Sequence, residues 1–320
     1  MKNVAKVDPH APQRDVINRA AKILKAGGLV AFPTETVYGL GAHALDPKAV
    51  RRIFAAKQRP EWDPLIVHVR DLMMARPMMK RLLPRFELLT SRFWPGALTL
   101  VVEKVAQVPV EVTAHRATIA LRMPWHPVAA ALLAAAQCPI AAPSANRFGR
   151  PSPTCAEHVV EDLADRVDLI LDAGPSPMGV ESTVLDLTQS PPAILRPGGV
   201  TREELEAVVG PVRVAPGVTD EVVRDGLAGP GMTLKHYAPR ARVELFESTS
   251  ELDARANELR AAHARVAEIR DPRAESLFAQ LRASDAAGAE VILCLLPTSH
   301  GIGLAVRDRL LRAAGKAGSS

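Results

Sequence analysis

Several short runs in this chain hold side chains able to bind or activate a small anionic substrate. In Phe32-Pro33-Thr34-Glu35-Thr36-Val37-Tyr38-Gly39-Leu40, two hydroxyls and an acid follow directly on a buried-strand run. Polar groups at a strand's C-terminal end are where open α/β sheets gather ligands; a plain turn, with Thr side chains bonding their own backbone, uses the same residues. Lys57-Gln58-Arg59 sets two cations two apart at a helix end. There an ammonium point charge and a bidentate guanidinium fork can converge on one phosphate chain, although such a pair also occurs as plain surface charge. His68 lies in an apolar run, where a hydrogen-bonded core histidine is the commoner alternative to a ligand. Ala142-Pro143-Ser144-Ala145-Asn146 supplies small hydrogen-bonding groups where backbone can approach a ligand closely. Val180-Glu181-Ser182-Thr183-Val184 and Ile194-Leu195-Arg196-Pro197-Gly198-Gly199 repeat that pattern of polar residues bracketed by apolar ones. No paired-carboxylate, HExxH or GxSxG signature is present, so hydrolase and protease chemistry has no candidate.

These groups need elements to position them. Strands are expected over 28–32, 65–69, 97–102, 118–122 and 169–172. One helix is well signed: Asp46 can cap it, Pro47 suits its first position, and Val50, Ile53, Phe54 and Lys57 fall on one face, with Lys57 near the C-terminal end. Further helices are expected at 14–26, 126–137, 155–165 and 201–209, which makes residues 1–210 a mixed α/β unit. Residues 211–235 carry seven Gly or Pro in 25 and no periodicity, as a linker or a wrapping loop would. Beyond them, strands at 243–246, 266–269 and 291–296 alternate with helices, the last two at 276–287 and 304–314; this argues a small parallel α/β domain. Gly39-Leu40-Gly41-Ala42-His43-Ala44 is a poor dinucleotide fingerprint, because the next helix opens only after Asp46. Gly301-Ile302-Gly303 opens the last helix but lacks a third glycine and a downstream acid, and no Walker loop is present.

The chain has 320 residues, 48% hydrophobic and 23% charged, which excludes a disordered chain and fits two globular domains. The longest apolar run, 128–136, is far too short for a membrane span, and the N-terminus lacks the apolar core of a secretory signal, so a cytoplasmic location is expected. Cys138, Cys155 and Cys294 show no CxxC spacing and read as buried thiols rather than a disulfide framework or zinc cluster. The net charge of +5 is unevenly spread: residues 51–150 hold 15 Lys and Arg against 6 Asp and Glu, whereas residues 151–320 hold 18 against 25. A basic central segment suits an anionic partner, nucleotide or nucleic acid; a solvated basic face has the same composition.

Taken in order, the motifs resemble the threonylcarbamoyl-AMP synthase family, built on the YrdC-like domain, in its longer two-domain form. The match comprises FPTETVYGLG at 32–41, KQR at 57–59, PLIVHV at 64–69, FWPGALTLV at 93–101, LRMP at 121–124, AAPSAN at 141–146, ESTV at 181–184 and LRPGG at 195–199. PGMTLKHYAPR at 230–240 resembles the family's linker, and residues 303–310 resemble the last helix of its C-terminal domain. The resemblance implies a twisted open α/β sheet with a basic concave face over 1–210, a linker at 211–239, and a small Rossmann-like α/β domain at 240–320. It implies conversion of L-threonine, bicarbonate or CO2, and ATP into threonylcarbamoyl-adenylate and pyrophosphate. The product would feed a downstream tRNA threonylcarbamoyl transferase complex, with tRNA itself only an indirect partner.

At matching positions the resemblance assigns Thr34, His68, Arg122, Ala142 and Ser182 to threonine, with Arg122 gripping its carboxylate. Lys57, Arg59, Thr118, Ser144, Asn146, Arg150, Arg196 and Tyr237 fall to ATP, Lys57 and Arg59 being the pair expected to carry catalysis. Mg2+ would arrive on ATP, since no protein metal cage is visible. Such chemistry consists mainly of neutralising and aligning anions that then react with one another. Residues 211–239 are expected to close over ATP. Glu61-Trp62-Asp63 and Phe148 depart from the family pattern, which commonly has a small or polar residue and Asn before Pro64 and a Ser at the position of Phe148, after Asn146. A double-stranded RNA-binding module using the basic face is the alternative, disfavoured by an aromatic content of 4%.

Overall fold

Apolar residues that alternate along each strand between two hydrophobic clusters determine the main sheet. The computed structural model describes residues 3–215 and 236–315. Its larger sheet is formed by β1 (Val4–Lys6), β2 (Val30–Phe32), β3 (Gly39–His43), β4 (Ile66–His68), β5 (Leu98–Glu103), β6 (Thr118–Arg122), β7 (Ile140–Ala141), β8 (Leu169–Asp172), β9 (Thr183–Asp186), β10 (Ala193–Arg196) and β11 (Arg213–Val214). The spatial order is β1-β8-β2-β3-β7-β4-β6-β5-β9-β10-β11, with parallel and antiparallel pairs mixed. Val30 and Phe32 pack with Ile17, Leu24, Leu132 and Leu133 from the helices Arg14–Lys25 and Pro127–Ala136, whereas Ala31 faces the opposite cluster with Val50, Ile53 and Phe54. Both faces are therefore covered at this end, which explains near-continuous apolar runs rather than alternation with polar residues.

At the other end the period of two has a different outcome. Val67, Leu100 and Leu121 join the large cluster, while Ile66, Ala120, Val184 and Leu195 form only a small one on the reverse face. On that thinly covered face β4 presents Ile66 and His68, and β6 presents Ala120 and Arg122, in register as neighbours: Ile66 with Ala120 and His68 with Arg122. Alternation alone would turn Arg196 away, to the side of Ile194. A register shift between Ile194 and Arg196 instead sets Arg196 opposite Val184, on the thinly covered face, a bulge of the kind that re-aims a side chain.

The helix Pro47–Lys57 forms as its signals predict: the Asp46 side chain accepts from Lys48 N at 2.9 Å, Pro47 occupies the first turn, and Gln58 ends it in a left-handed conformation. Strands β1, β3, β7, β9, β10 and β11 of the larger sheet are additions to the expected set. The weak glycine fingerprint is the strand β3, and a Cβ at Gly41 would lie 2.8 Å from the Ile140 side chain and 2.9 Å from Phe32.

The C-terminal part is a three-stranded parallel sheet of β12 (Arg242–Phe246), β14 (Val291–Leu295) and β13 (Val266–Ile269), in that order, with helices Thr249–Ala261, Leu277–Ala286 and Ile302–Ala313. Its core is not self-contained: Val37 and Val180 of the larger unit share a cluster with Tyr237, Phe278 and Leu310. Arg282 donates to Asp162 and to Pro151 O, both at 2.6 Å, across the same junction. Most of the expected closing segment, 216–235, lies outside the described residues. No helix among the described residues is long and apolar enough to cross a membrane.

Candidate active site

The thinly covered sheet face carries a cleft of about 520 Å³, open solvent at its mouth included, lined by the β4 and β6 residues and by four loops. After β2, the hydroxyls of Thr34 and Thr36 lie 2.8 Å apart, and Thr34 Oγ1 donates to Val37 O at 2.6 Å. Ala142, Pro143 and Ser144 follow β7 and line it too; Ser144 bridges Gly39 of β3. Glu181 and Ser182 precede β9, and Arg196 ends β10. The loop after Arg196 passes so close to Glu181–Thr183 that a Cβ at Gly198 would sit 2.3 Å from Glu181 O.

Three arginines line the cleft, and each is gripped along the same edge. Arg122 donates from Nε to Gly96 O and from Nη2 to Glu35 Oε1 and Thr36 Oγ1. Arg59 donates from Nε to Asp63 O and from Nη2 to Pro64 O, and Nη2 lies 2.7 Å from the Asp63 carboxylate. Arg196 donates from Nε to Ser182 O and from Nη2 to Ser182 O and Oγ. In all three, Nη1 has no hydrogen-bond partner among the described residues, which leaves one donor edge per guanidinium for an anion. The cleft is also less cationic than residues 51–150 suggest, because Asp63 and Glu35 pair with Arg59 and Arg122; Arg196 has only neutral direct partners among the described residues.

His68 is buried at the floor, edge-on to Phe32, with Nδ1 unpartnered among the described residues. Burial, aided by the nearby Arg122 charge, lowers its pKa to about 3, so the ring is neutral at pH 7. His236 and Tyr237 form the opposite wall, His236 standing edge-on between Phe148 and Tyr237. Behind Tyr237 lies Arg309 of the last helix, fully buried, with its Cζ 5.2 Å from the ring centroid. It donates from Nε to Glu181 Oε2 at 2.8 Å and from Nη1 to Asp308 at 2.7 Å. Burial pushes the Glu181 carboxyl up, but Arg309 and Arg196 hold its pKa below the ordinary value.

Against this geometry, comparison with known proteins is decisive. A family model described as "Telomere recombination" matches residues 22–198, and one described as "Threonylcarbamoyl-AMP synthase, C-terminal domain" matches residues 200–315. The chain belongs to the threonylcarbamoyl-AMP synthase family. A threonylcarbamoyl-AMP synthase of Pyrococcus abyssi is 44% identical over 324 residues, covering 93% of this chain and 94% of that protein. One from Bacillus subtilis is 40% identical and covers 93% of each. The solved structure of P. abyssi Sua5 complexed with L-threonine superposes with a TM-score of 0.92 at 41% identity, covering 98% of this chain and 97% of that one.

Of the residues expected at the site of this synthase family member, Thr34, Arg59, His68, Arg122, Ala142, Ser144, Ser182, Arg196 and Tyr237 line the cleft. Lys57, Thr118, Asn146 and Arg150 do not. Lys57 is 1% exposed and spends its ammonium donors on Ser144 O, Asn146 O and Asn146 Oδ1, beneath the loop rather than in the cleft. Burial, with Arg59 adding to it, pushes its pKa well below the lysine norm. Asn146 is fully buried and donates to Arg147 O and Arg150 O. Arg150 pairs with Asp285 at 3.2 Å, and Thr118 starts β6, four residues and about 13 Å of strand from Arg122. Thr36, Glu181 and His236 line the cleft without having been singled out, and the flanking motifs were the only signal for them. Among the described residues no three His, Cys, Asp or Glu side chains converge on one point as metal ligands.

Proposed function

We propose that this chain condenses L-threonine, bicarbonate or CO2, and ATP into threonylcarbamoyl-AMP and pyrophosphate, for use by a downstream tRNA threonylcarbamoyl transferase complex. Family membership supports the reaction, and the cleft supports its chemistry through one observation: three guanidiniums converge with one donor edge each unspent. The threonine amine forms an N–C bond to the carbon; from bicarbonate water leaves, and from CO2 the amine gives up a proton to solvent. A carbamate oxygen then bonds to the α-phosphorus while the bond to the β-phosphate breaks, releasing pyrophosphate. The threonine carboxylate, the carbamate and the triphosphate all bring negative charge to one place, so alignment and neutralisation do most of the work.

In this reading Arg122, Thr34, Ala142, Ser182 and the neutral His68 hold threonine, and Arg59, Arg196, Ser144 and Tyr237 hold the phosphates. Lys57 and Asn146 act beneath the Ser144 loop, as its supports. Thr118 and Arg150 lie outside the cleft lining, and no substrate contact is assigned to them. Mg2+ would come as an ion carried by the triphosphate with most of its waters, since among the described residues no three metal-ligating side chains converge to hold it. Residues 1–210 would be the catalytic unit, 211–239 the linker, and 240–320 the C-terminal domain. A duplex RNA is a poor occupant, because Arg59, Arg122 and Arg196 are 7%, 4% and 5% exposed and sit too deep for a phosphate backbone. Pyrophosphate release, followed with threonine and bicarbonate added singly and together, tests the reading: release should require both, and release indifferent to threonine would refute it.

A further inference from the structure

We infer that Glu35 is a positioning residue for the amino-acid side of the cleft: it holds Arg122 by one edge so that the other meets the substrate carboxylate. This rests on the reading of Arg122 given above. Thr34 and Thr36 line the cleft, whereas Glu35 between them points behind it, its side chain 5% exposed. Its Oε1 accepts from Arg122 Nη2 at 2.7 Å, and its Oε2 accepts the backbone N–H of Trp125 at 3.0 Å, in the segment that follows β6. Glu35 thus ties both the arginine and the chain just beyond it to the loop after β2.

With Nε on Gly96 O at 3.1 Å and Nη2 shared with Thr36 Oγ1 at 3.0 Å, the guanidinium plane is set before any ligand arrives. Pre-organisation of this kind saves the rotamer entropy that a free arginine would lose on gripping a carboxylate. Why an acid rather than an amide stands here follows from the acceptor count. Both carboxylate oxygens are in use, and an amide brings one acceptor oxygen and an NH2 donor, so Gln at this position would face either Arg122 or Trp125 with a donor.

The test uses the full chain in the pyrophosphate-release assay, with threonine titrated at saturating ATP and bicarbonate, for Glu35→Gln, Arg122→Ala and the double variant. ATP KM and melting temperature are measured alongside. Glu35→Gln is expected to raise the threonine KM about tenfold, the loss of one charge-assisted hydrogen bond, with kcat and ATP KM within about twofold. In the Arg122→Ala background it is expected to add nothing, as coupled residues do. Should Glu35→Gln not accumulate as folded protein, Glu35→Asp is read in the same way, one methylene too short to keep both bonds. If Arg122→Ala abolishes threonine dependence while Glu35→Gln leaves it intact, the inference fails and the reading of Arg122 stands. A normal threonine KM in Arg122→Ala refutes the reading itself. ATP KM rising in step with threonine KM marks general loosening, and also overturns the inference.

Discussion

Arg309→Met removes a cation that ties the C-terminal domain to the cleft. Arg309 is fully buried, 2.8 Å from Glu181 and 5.2 Å from the Tyr237 ring centroid, and Glu181 is itself buried beside Ser182. Breaking one side of a buried pair costs about 3–5 kcal/mol, because a desolvated charge is left alone. Loss of the cation over the Tyr237 face adds about 0.5–2 kcal/mol, and proton uptake by Glu181 offsets part. A net loss of about 4 kcal/mol lowers the melting temperature by roughly 8–16 °C for a chain unit of this size, readable by calorimetry at pH 7. In the native protein the Glu181 pKa lies below its ordinary 4.5, so the pair's contribution is complete above that value and fades as pH falls through the folded pKa. In the variant only Arg196 and the Ser152 hydrogen bond are left to oppose burial, so the Glu181 pKa moves up from its native position and the folded variant is penalised less as pH falls and the carboxylate takes up a proton. The gap between the two proteins should therefore narrow toward pH 4. Adding Glu181→Gln should recover part of the loss, since no charge is then stranded. A loss under about 1 kcal/mol at pH 7, or a double variant weaker than the single, would refute the reasoning.

Lys57→Met should destabilise the fold by about 3 kcal/mol and cost activity through Ser144 and Asn146, whose three acceptors lose their donor; a stable variant with only a raised ATP KM would instead place Lys57 on the nucleotide. Asp63→Asn removes the carboxylate 2.7 Å from Arg59 Nη2 that fixes this guanidinium, so ATP should bind at least about threefold more weakly by calorimetric titration; tighter binding would show that the carboxylate merely neutralises Arg59. Burial depresses the pKa of His68 to about 3 and of His158 to about 4, so the unfolded chain binds more protons below pH 6.5. Stability should be complete above pH 6.5 and fall as pH drops toward 4, measured as a denaturant midpoint; a midpoint flat over that range would count against neutral buried imidazoles.

Local chemistry made much of this fold legible. The Asp46 cap with Pro47, the apolar spacing up to Lys57, and the strands at β2, β4, β5, β6 and β8 follow from rules that act within a few residues. β9 and β10 were harder, because their polar flanks read as ligand loops; the structure shows that they are both, strands whose ends meet at the cleft. Direction was the weakest point. Lys57 and Arg59 sit two apart on one helix end, and nothing in that spacing says that one turns under a loop while the other reaches the cleft.

Composition and local patterning were sufficient for the mixed α/β class, the small parallel C-terminal unit and the short polar motifs, since helix caps, turn residues and apolar periods are paid for by neighbours in the chain. Tertiary structure alone decided which groups keep a free donor edge: Glu35 meets Arg122 across 87 residues, Glu181 meets Arg309 across 128, and a single bulge turns Arg196 to the cleft. Burial is the reason. Whether a charge is spent or available depends on its distance from its counter-charge once water is excluded, and that distance is a property of how the strands and helices are assembled.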